Sequence, residues 1–131
     1  MIGLDTNVLV RYLAQDDPAH SARATEIIEQ RLSEENPGFV SVVAMAETVW
    51  VLDRAYGLSD EDIVAAIEHT LQADVLVVEN EQEVFAAMTA LKEGRGSFAD
   101  ALIGALGAAA GCSATLTFDR RALRLPEFEP A

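Results

Sequence analysis

The chain is poor in three kinds of residue, and each shortage closes off a class of protein. Cys112 is the only cysteine among 131 residues, so no intramolecular disulfide can form; such cysteine usage suits a reducing compartment. The two histidines, His20 and His69, lie far apart and have no cysteine partners, so zinc-type spacing is absent. His69 reads as an ordinary helix-surface residue. Basic residues are scarce, with nine Lys and Arg against 22 Asp and Glu, for a formal net charge of -13. A broad basic face for phosphates is therefore excluded, and any work on nucleic acid needs a local device such as a metal ion.

Export and membrane signals are missing as well. "MIGLDTNVLV" carries an acid at position 5 and no basic leader, so no signal peptide is expected. Ala101 to Phe118 is uncharged and as long as a membrane span. It is mostly Ala, Gly, Ser and Thr, and Gly111 divides an Ala-rich helix from a β-branched run, so it reads as buried soluble structure. The expected location is cytoplasmic, with no membrane partner.

What is present is the composition of a folded protein, 50% hydrophobic and 24% charged. The length suits a single domain over residues 1–131. Expected strands are "MIGL", "FVSVV", "VLVV" and "ATLTF", with a further edge strand in the tail "PEFEPA". Expected helices run from Asn7 to about Gln15, through "PAHSARATEIIEQRLSEEN" from Pro18, and from Ala44 to Tyr56, where Gly57 is a stop. Ser59 and Asp62 open the next helix in capping-box spacing. "EQEVFAAMTALKEG" and "SFADALIGALGAAAG" supply two more, and "DRRALRL" a short turn or helix. Such alternation predicts an α/β fold around a parallel sheet. In such sheets, sites form where strand carboxyl ends feed helix N-termini.

Most of the acids sit where charge is cheap. Glu34 and Glu35 lie near a helix end, Asp60 to Asp62 form a first turn, and Glu79 to Glu83 fall in a polar connection. Asp5, Glu47, Asp100 and Asp119 differ. Asp5 follows the first strand and Asp119 the fourth, and Asp100 is the only charge between Arg95 and Asp119. Glu47 is the only charge in "FVSVVAMAETVWVL", with Val43, Ala44, Trp50 and Val51 as its helical neighbours. Capping accounts for Asp5 and Asp119 singly, and Ser97 with Asp100 has capping-box spacing. Capping does not explain Glu47, whose apolar neighbours predict a buried position, since a buried charge is expensive unless compensated. Carboxylates gathered at one sheet edge repel, and a cation removes that cost. Hard oxygen ligands without His or Cys suit Mg²⁺ or Mn²⁺.

"LDTNVLVRYL", "AETVWVL" and "FADALIGALGAAAGCSATLTFDRR", with the spacings between them, resemble a PIN-domain protein. The subgroup they resemble is the VapC-type ribonuclease toxin of bacterial toxin–antitoxin pairs. The likeness runs from Ile2 to about Leu125 and shows no departure at an acid position. It implies a three-layer α/β/α sandwich with a central, mainly parallel sheet of four or five strands. It also implies Mg²⁺- or Mn²⁺-dependent cleavage of RNA, a homodimer, and a cognate antitoxin that blocks the acidic pocket. The family's catalytic acids fall on Asp5, Glu47, Asp100 and Asp119, and its supporting polar residues on Thr6, Asn7 and Thr117.

On that basis Asp5 and Asp100, with Asp119 directly or through water, are the expected metal ligands. The ion would lower the pKa of an attacking water, and Glu47 would orient it or complete the shell. In-line attack would leave a 5′-phosphate and a 3′-hydroxyl, as in the family. Asn7 and Thr117 are expected to hydrogen-bond the carboxylates. Arg11, Arg95, Arg120 and Arg121 are candidate phosphate contacts. Trp50, Val51, Leu52 and Tyr56 are candidates for a partner surface.

Other acidic α/β proteins fit less well. A haloacid-dehalogenase-type phosphatase needs D-x-D after its first strand, where "DTN" has Asn7. A receiver domain needs an aspartate after its third strand, which "VLVVEN" lacks, and no Walker motif is present. The remaining alternative is a non-catalytic module of the same fold, whose acidic pocket docks a basic partner segment.

Overall fold

Three leucines close over the backbone of Gly38. In the computed structural model, which describes Met1–Ala131, a Cβ there would stand 2.7 Å from Leu32 Cδ1, 3.0 Å from Leu4 Cδ1 and 3.1 Å from Leu76 Cδ2. Gly38 opens β2 (Gly38–Val40), the middle strand of a parallel sheet flanked by β1 (Ile2–Gly3) and β3 (Leu76–Val78). The register pairs Ile2 with Gly38 and Gly38 with Leu76. Val40 is fully buried and Leu76 and Val78 nearly so, so the middle and far strands are built of core residues.

The chain contacts gather into two compact units, Met1–Glu79 and Asn80–Ala131. In the first, α1 (Thr6–Ala14) follows β1, and α2 (Pro18–Glu26) begins at Pro18 with Asp17 as its cap. The helix then widens into a π turn over Ile27–Arg31, and Leu32 is extended. Val42–Arg54 is α3, capped by Ser41, and Asp60–Gln72 is α4, capped by Ser59. Gly57 at φ 61 lets the chain turn left-handed after α3, as expected of a helix stop. Leu9, Ile28, Met45, Leu52, Ile63 and Ile67 form the core of this unit. Each such side chain contributes about 1.5–3 kcal/mol by leaving water.

The second unit holds α5 (Glu81–Lys92), α6 (Phe98–Ala109), β4 (Thr115–Thr117), a 3₁₀ turn at Ala122–Arg124 and β5 (Phe128–Pro130). β4 and β5 pair in parallel, with Thr115 opposite Phe128. The helices α5 and α6 pack on each other, burying Val84, Met88, Phe98 and Leu102.

The α/β class and the parallel pairing are as expected from the sequence, and the tail does form a strand. The five strands hydrogen-bond as a three-stranded and a two-stranded sheet. No helix is long and apolar enough to cross a membrane. The uncharged run from Ala101 is divided between α6 and β4, with Gly111 at φ 95 between them.

Candidate active site

β1 ends where the Leu4 amide donates to the Phe39 carbonyl at 2.9 Å, and the chain turns directly into α1. Asp5 caps that helix from extended backbone, its Oδ1 accepting the Thr6 amide at 2.7 Å. This is the capping role that Asp chemistry favours, and it leaves the second carboxylate oxygen free. Thr6 is 8% exposed, and its hydroxyl donates to Glu47 Oε1. Glu47 reaches it from α3, which follows β2 as α1 follows β1. Two adjacent parallel strands therefore deliver Asp5 and Glu47 to the same carboxyl edge.

The surroundings of Glu47 differ from the expectation. Its side chain is exposed, and the apolar neighbours on its face, Val43 and Trp50, are 75% and 61% exposed. The buried face of α3 is carried instead by Ala44, Met45, Thr48, Val49 and Leu52. The run is apolar on both faces, so a 3.6-residue pattern alone does not tell inside from outside.

Glu79 also belongs to this edge. It follows β3, and its Oε1 accepts the Val42 amide at 2.9 Å, capping the start of α3.

In the second unit, Ser97 caps α6, its Oγ accepting the Asp100 amide at 3.1 Å. The cap uses the backbone of Asp100 and leaves its half-buried carboxylate without a protein partner. α6 passes close to the strands: a Cβ on Gly107 would stand 2.8 Å from Thr115 Oγ1, and one on Gly104 2.8 Å from Phe128 Cε2. Asp100 lies seven residues back along the helix and Asp119 four residues on from Thr115.

Asp119 is exposed and shapes a turn, its Oδ1 accepting the Arg121 amide at 2.8 Å. Thr117 Oγ1 accepts the Asp119 amide at 2.9 Å. Thr117 thus positions Asp119 through the backbone, where a bond to a carboxylate was expected. Asn7 is exposed and makes no hydrogen bond to any of the acids.

Taken unit by unit, the acids have the chemistry of ligands for a hard divalent cation. In the first unit Asp5 and Glu47 each keep one carboxylate oxygen free of protein hydrogen bonds; in the second Asp119 does the same and Asp100 has no competing protein partner. As the side chains stand, no three His, Cys, Asp or Glu gather into a metal-binding group.

Two cavities open on the first unit. One of about 680 Å³ is lined by none of Asp5, Glu47, Asp100 and Asp119 and lies against Tyr12, Leu52, Tyr56, Ala66 and His69. The Tyr12 hydroxyl lies 3.2 Å from His69 Nε2 there. Burial first, and then the charge of Glu29, raise the Tyr12 phenol above its ordinary value. The other, of about 320 Å³, is lined by Asn7, Val8, Arg11, His20, Arg23, Ala24 and Ile27. Of its polar residues, only Arg11 was singled out from the sequence as a phosphate contact. The missed signal was helical spacing: His20, Arg23, Ala24 and Ile27 recur at i, i+3, i+4 and i+7.

The family model that describes the PIN domain matches residues 2–127. No curated protein matches the chain. PIN domains are generally nucleases, and PIN-domain nucleases generally use divalent metal ions.

Proposed function

We propose, since the chain belongs to the PIN-domain family, that it is an Mg²⁺- or Mn²⁺-dependent endoribonuclease of the VapC toxin type, held inactive by a cognate antitoxin. The observation that carries this reading is the bond from the Thr6 hydroxyl to the Glu47 carboxylate, with Asp5 capping the same turn. A purely structural cap at Asp5 has no need of a second acid held beside it.

In this reading Asp5, Asp100 and Asp119 hold the cation. The ion, when bound, supplies Lewis-acid stabilisation of the phosphoryl charge and makes water a better nucleophile. Glu47, fixed by Thr6, orients the attacking water and takes up its proton. Asp100, uncommitted to any protein partner, is free to ligate without breaking an existing bond. Thr117 fixes the turn that carries Asp119. Hydrolysis of the phosphodiester leaves a 5′-phosphate and a 3′-hydroxyl.

The net charge of -13 supports an antitoxin that presents a basic segment to the acidic edge. The exposed Val43 and Trp50 on α3 support a protein interface there, as a homodimer requires. The proposed location is the cytoplasm, which suits a lone cysteine, Cys112, left free and exposed.

The test is incubation of a structured-RNA pool with the purified protein in Mn²⁺, in Mg²⁺ and in EDTA, with end-group analysis of the products. Cleavage that EDTA abolishes and that leaves 5′-phosphates supports the reading. Absence of cleavage with either ion would leave the fold and remove the enzyme, favouring a docking role for the acids.

A further inference from the structure

Arg11, Arg23, Arg31 and Arg54 are the only Lys or Arg residues in the first unit, and two of them line one concavity of about 320 Å³. Asn7 and His20 complete its polar wall, and Val8, Ala24 and Ile27 form the rest. The lining contains no carboxylate. In a chain of net charge -13, this concavity presents only nitrogen donors and an amide. We propose that it is a subsite for a backbone phosphate of the RNA strand, flanking the bond to be cut. The inference rests on the ribonuclease reading above and specifies how that substrate is held.

Local structure explains why these groups converge. Asn7 and Arg11 are one turn apart on α1, so both face the same side. Asp17 caps α2 with Pro18 in its first turn, which fixes the helix phase so that His20, Arg23 and Ile27 share one face. α1 and α2 pack on each other, and the concavity opens between those two faces.

Its position suits a flanking phosphate. Asn7 directly follows Thr6, which holds Glu47, and Arg11 lies one turn further, about 6 Å along the axis. A strand whose scissile phosphate meets the acids would carry its next phosphates along this face.

The cations have acidic neighbours outside the lining. Arg11 Nη1 lies 3.3 Å from Asp16 Oδ1, His20 Nδ1 3.2 Å from Asp17 Oδ2, and Arg23 Nη1 3.2 Å from Glu26 Oε1. Arg11 also donates to the Tyr56 hydroxyl at 3.3 Å. Exposed pairs of this kind hold weakly, and the Arg23 and Glu26 side chains are 59% and 56% exposed. A phosphate offers a guanidinium two charge-assisted bonds, enough to draw Arg23 from Glu26. The same pairs give the test a second sign, because removing Glu26 should release Arg23 to the RNA.

The experiment measures binding of a fluorescent structured-RNA pool in Mg²⁺ at several NaCl concentrations, on an Asp100→Asn background that keeps the RNA intact. Arg23→Gln should weaken binding about five-fold and flatten the slope of log K against log[salt] by about 0.7, one phosphate's worth for a single strand. Glu26→Gln should tighten binding. Arg31→Gln, the same charge change on the exposed π turn outside the concavity, should do neither. Thermal melts that match the parent establish that Arg23→Gln is folded.

If Arg23→Gln and Arg31→Gln bind alike, the subsite is overturned, and cleavage by wild type would leave the nuclease reading intact. If binding depends on Arg23 but no metal supports cleavage by wild type, the nuclease reading falls and the phosphate subsite stands. If the pool is not bound at all, the subsite is overturned, and wild-type cleavage alone decides the nuclease reading.

Discussion

The hydroxyl of Thr6 donates to the carboxylate of Glu47 across 41 positions of sequence, joining the turn after β1 to the helix after β2. A threonine at the first position of α1 is thereby committed to an acid on α3. Thr6→Val keeps the shape of the side chain and removes the donor. The expected cost is about 1 kcal/mol of stability, read from urea denaturation. Cleavage should fall more, by about 10- to 100-fold, as for a residue that orients a group at the reacting centre. Thr6→Ser should retain most of both. In a double-mutant cycle, Thr6→Val should add little to Glu47→Gln; full additivity would mean that the two residues do not act together.

Divalent cations should raise the melting temperature. A ligand that binds only the folded chain stabilises it by about 2.7 kcal/mol when present at 100 times its Kd. Asp100→Asn should shrink that shift while altering the metal-free melt little, because its carboxylate has no protein partner to lose. Differential scanning calorimetry with and without Mn²⁺ reads both. An undiminished shift in the variant would remove Asp100 from the ligand set.

Asp17 gives a pH dependence with a definite sign. Its carboxyl is held below the ordinary 3.8, first by the hydrogen bond from the His20 amide, against some burial, and then by the charges of His20 and Arg11. A carboxyl depressed in the folded state contributes stability at pH values above its unfolded value and loses it as pH falls through the folded one. Asn also caps helices but carries no charge, so Asp17→Asn isolates the electrostatic part. The gap in urea midpoint between wild type and variant should be widest near neutral pH. It should narrow as pH drops below about 4, and more weakly in high salt. A gap independent of pH would mean that the cap acts without its charge.

Gly104→Ala should destabilise the chain although alanine is the better helix former. The new methyl would stand 2.8 Å from Phe128 Cε2 and 3.1 Å from Glu127 Cβ. The ring can shift, but Glu127 Cβ is set by the backbone leading into β5. Overpacking of about 1–3 kcal/mol outweighs the roughly 1 kcal/mol gained in propensity. A rise in melting temperature would show that α6 has room to move from the strand.

Most of the secondary structure was legible because its start and stop signals are local. Ser59 and Ser97 each cap a helix through the side chain, and Gly57 and Gly111 turn the chain at positive φ. The apolar strand runs are read correctly and trimmed at their ends, except "FVSVV": Gly38 opens that strand, Ser41 ends it as a helix cap, and Val42 and Val43 belong to α3 rather than preceding a helix from Ala44. The π turn at Ile27–Arg31 was not legible, because its apolar spacing is close to that of an α-helix. Nor was the exposure of Glu47, since Val43 and Trp50 look like core residues until α3 has been placed on the sheet. Asp5 could be located from strand order alone, whereas its link to Glu47 through Thr6 depends on which strands pair. The concavity at Arg11 depends on how two helices pack, and no single motif encodes that.

The most direct test of the central claim, that the chain is a metal-dependent ribonuclease that uses Glu47 and Asp100, is single-turnover cleavage of RNA in Mn²⁺. Wild type would be compared with Glu47→Gln from the first unit and Asp100→Asn from the second. The expected result is cleavage by wild type, abolished by EDTA and lowered by about 100-fold or more in each variant. Cleavage by Asp100→Asn at the wild-type rate would contradict it, and would remove Asp100 from the groups that serve the reaction.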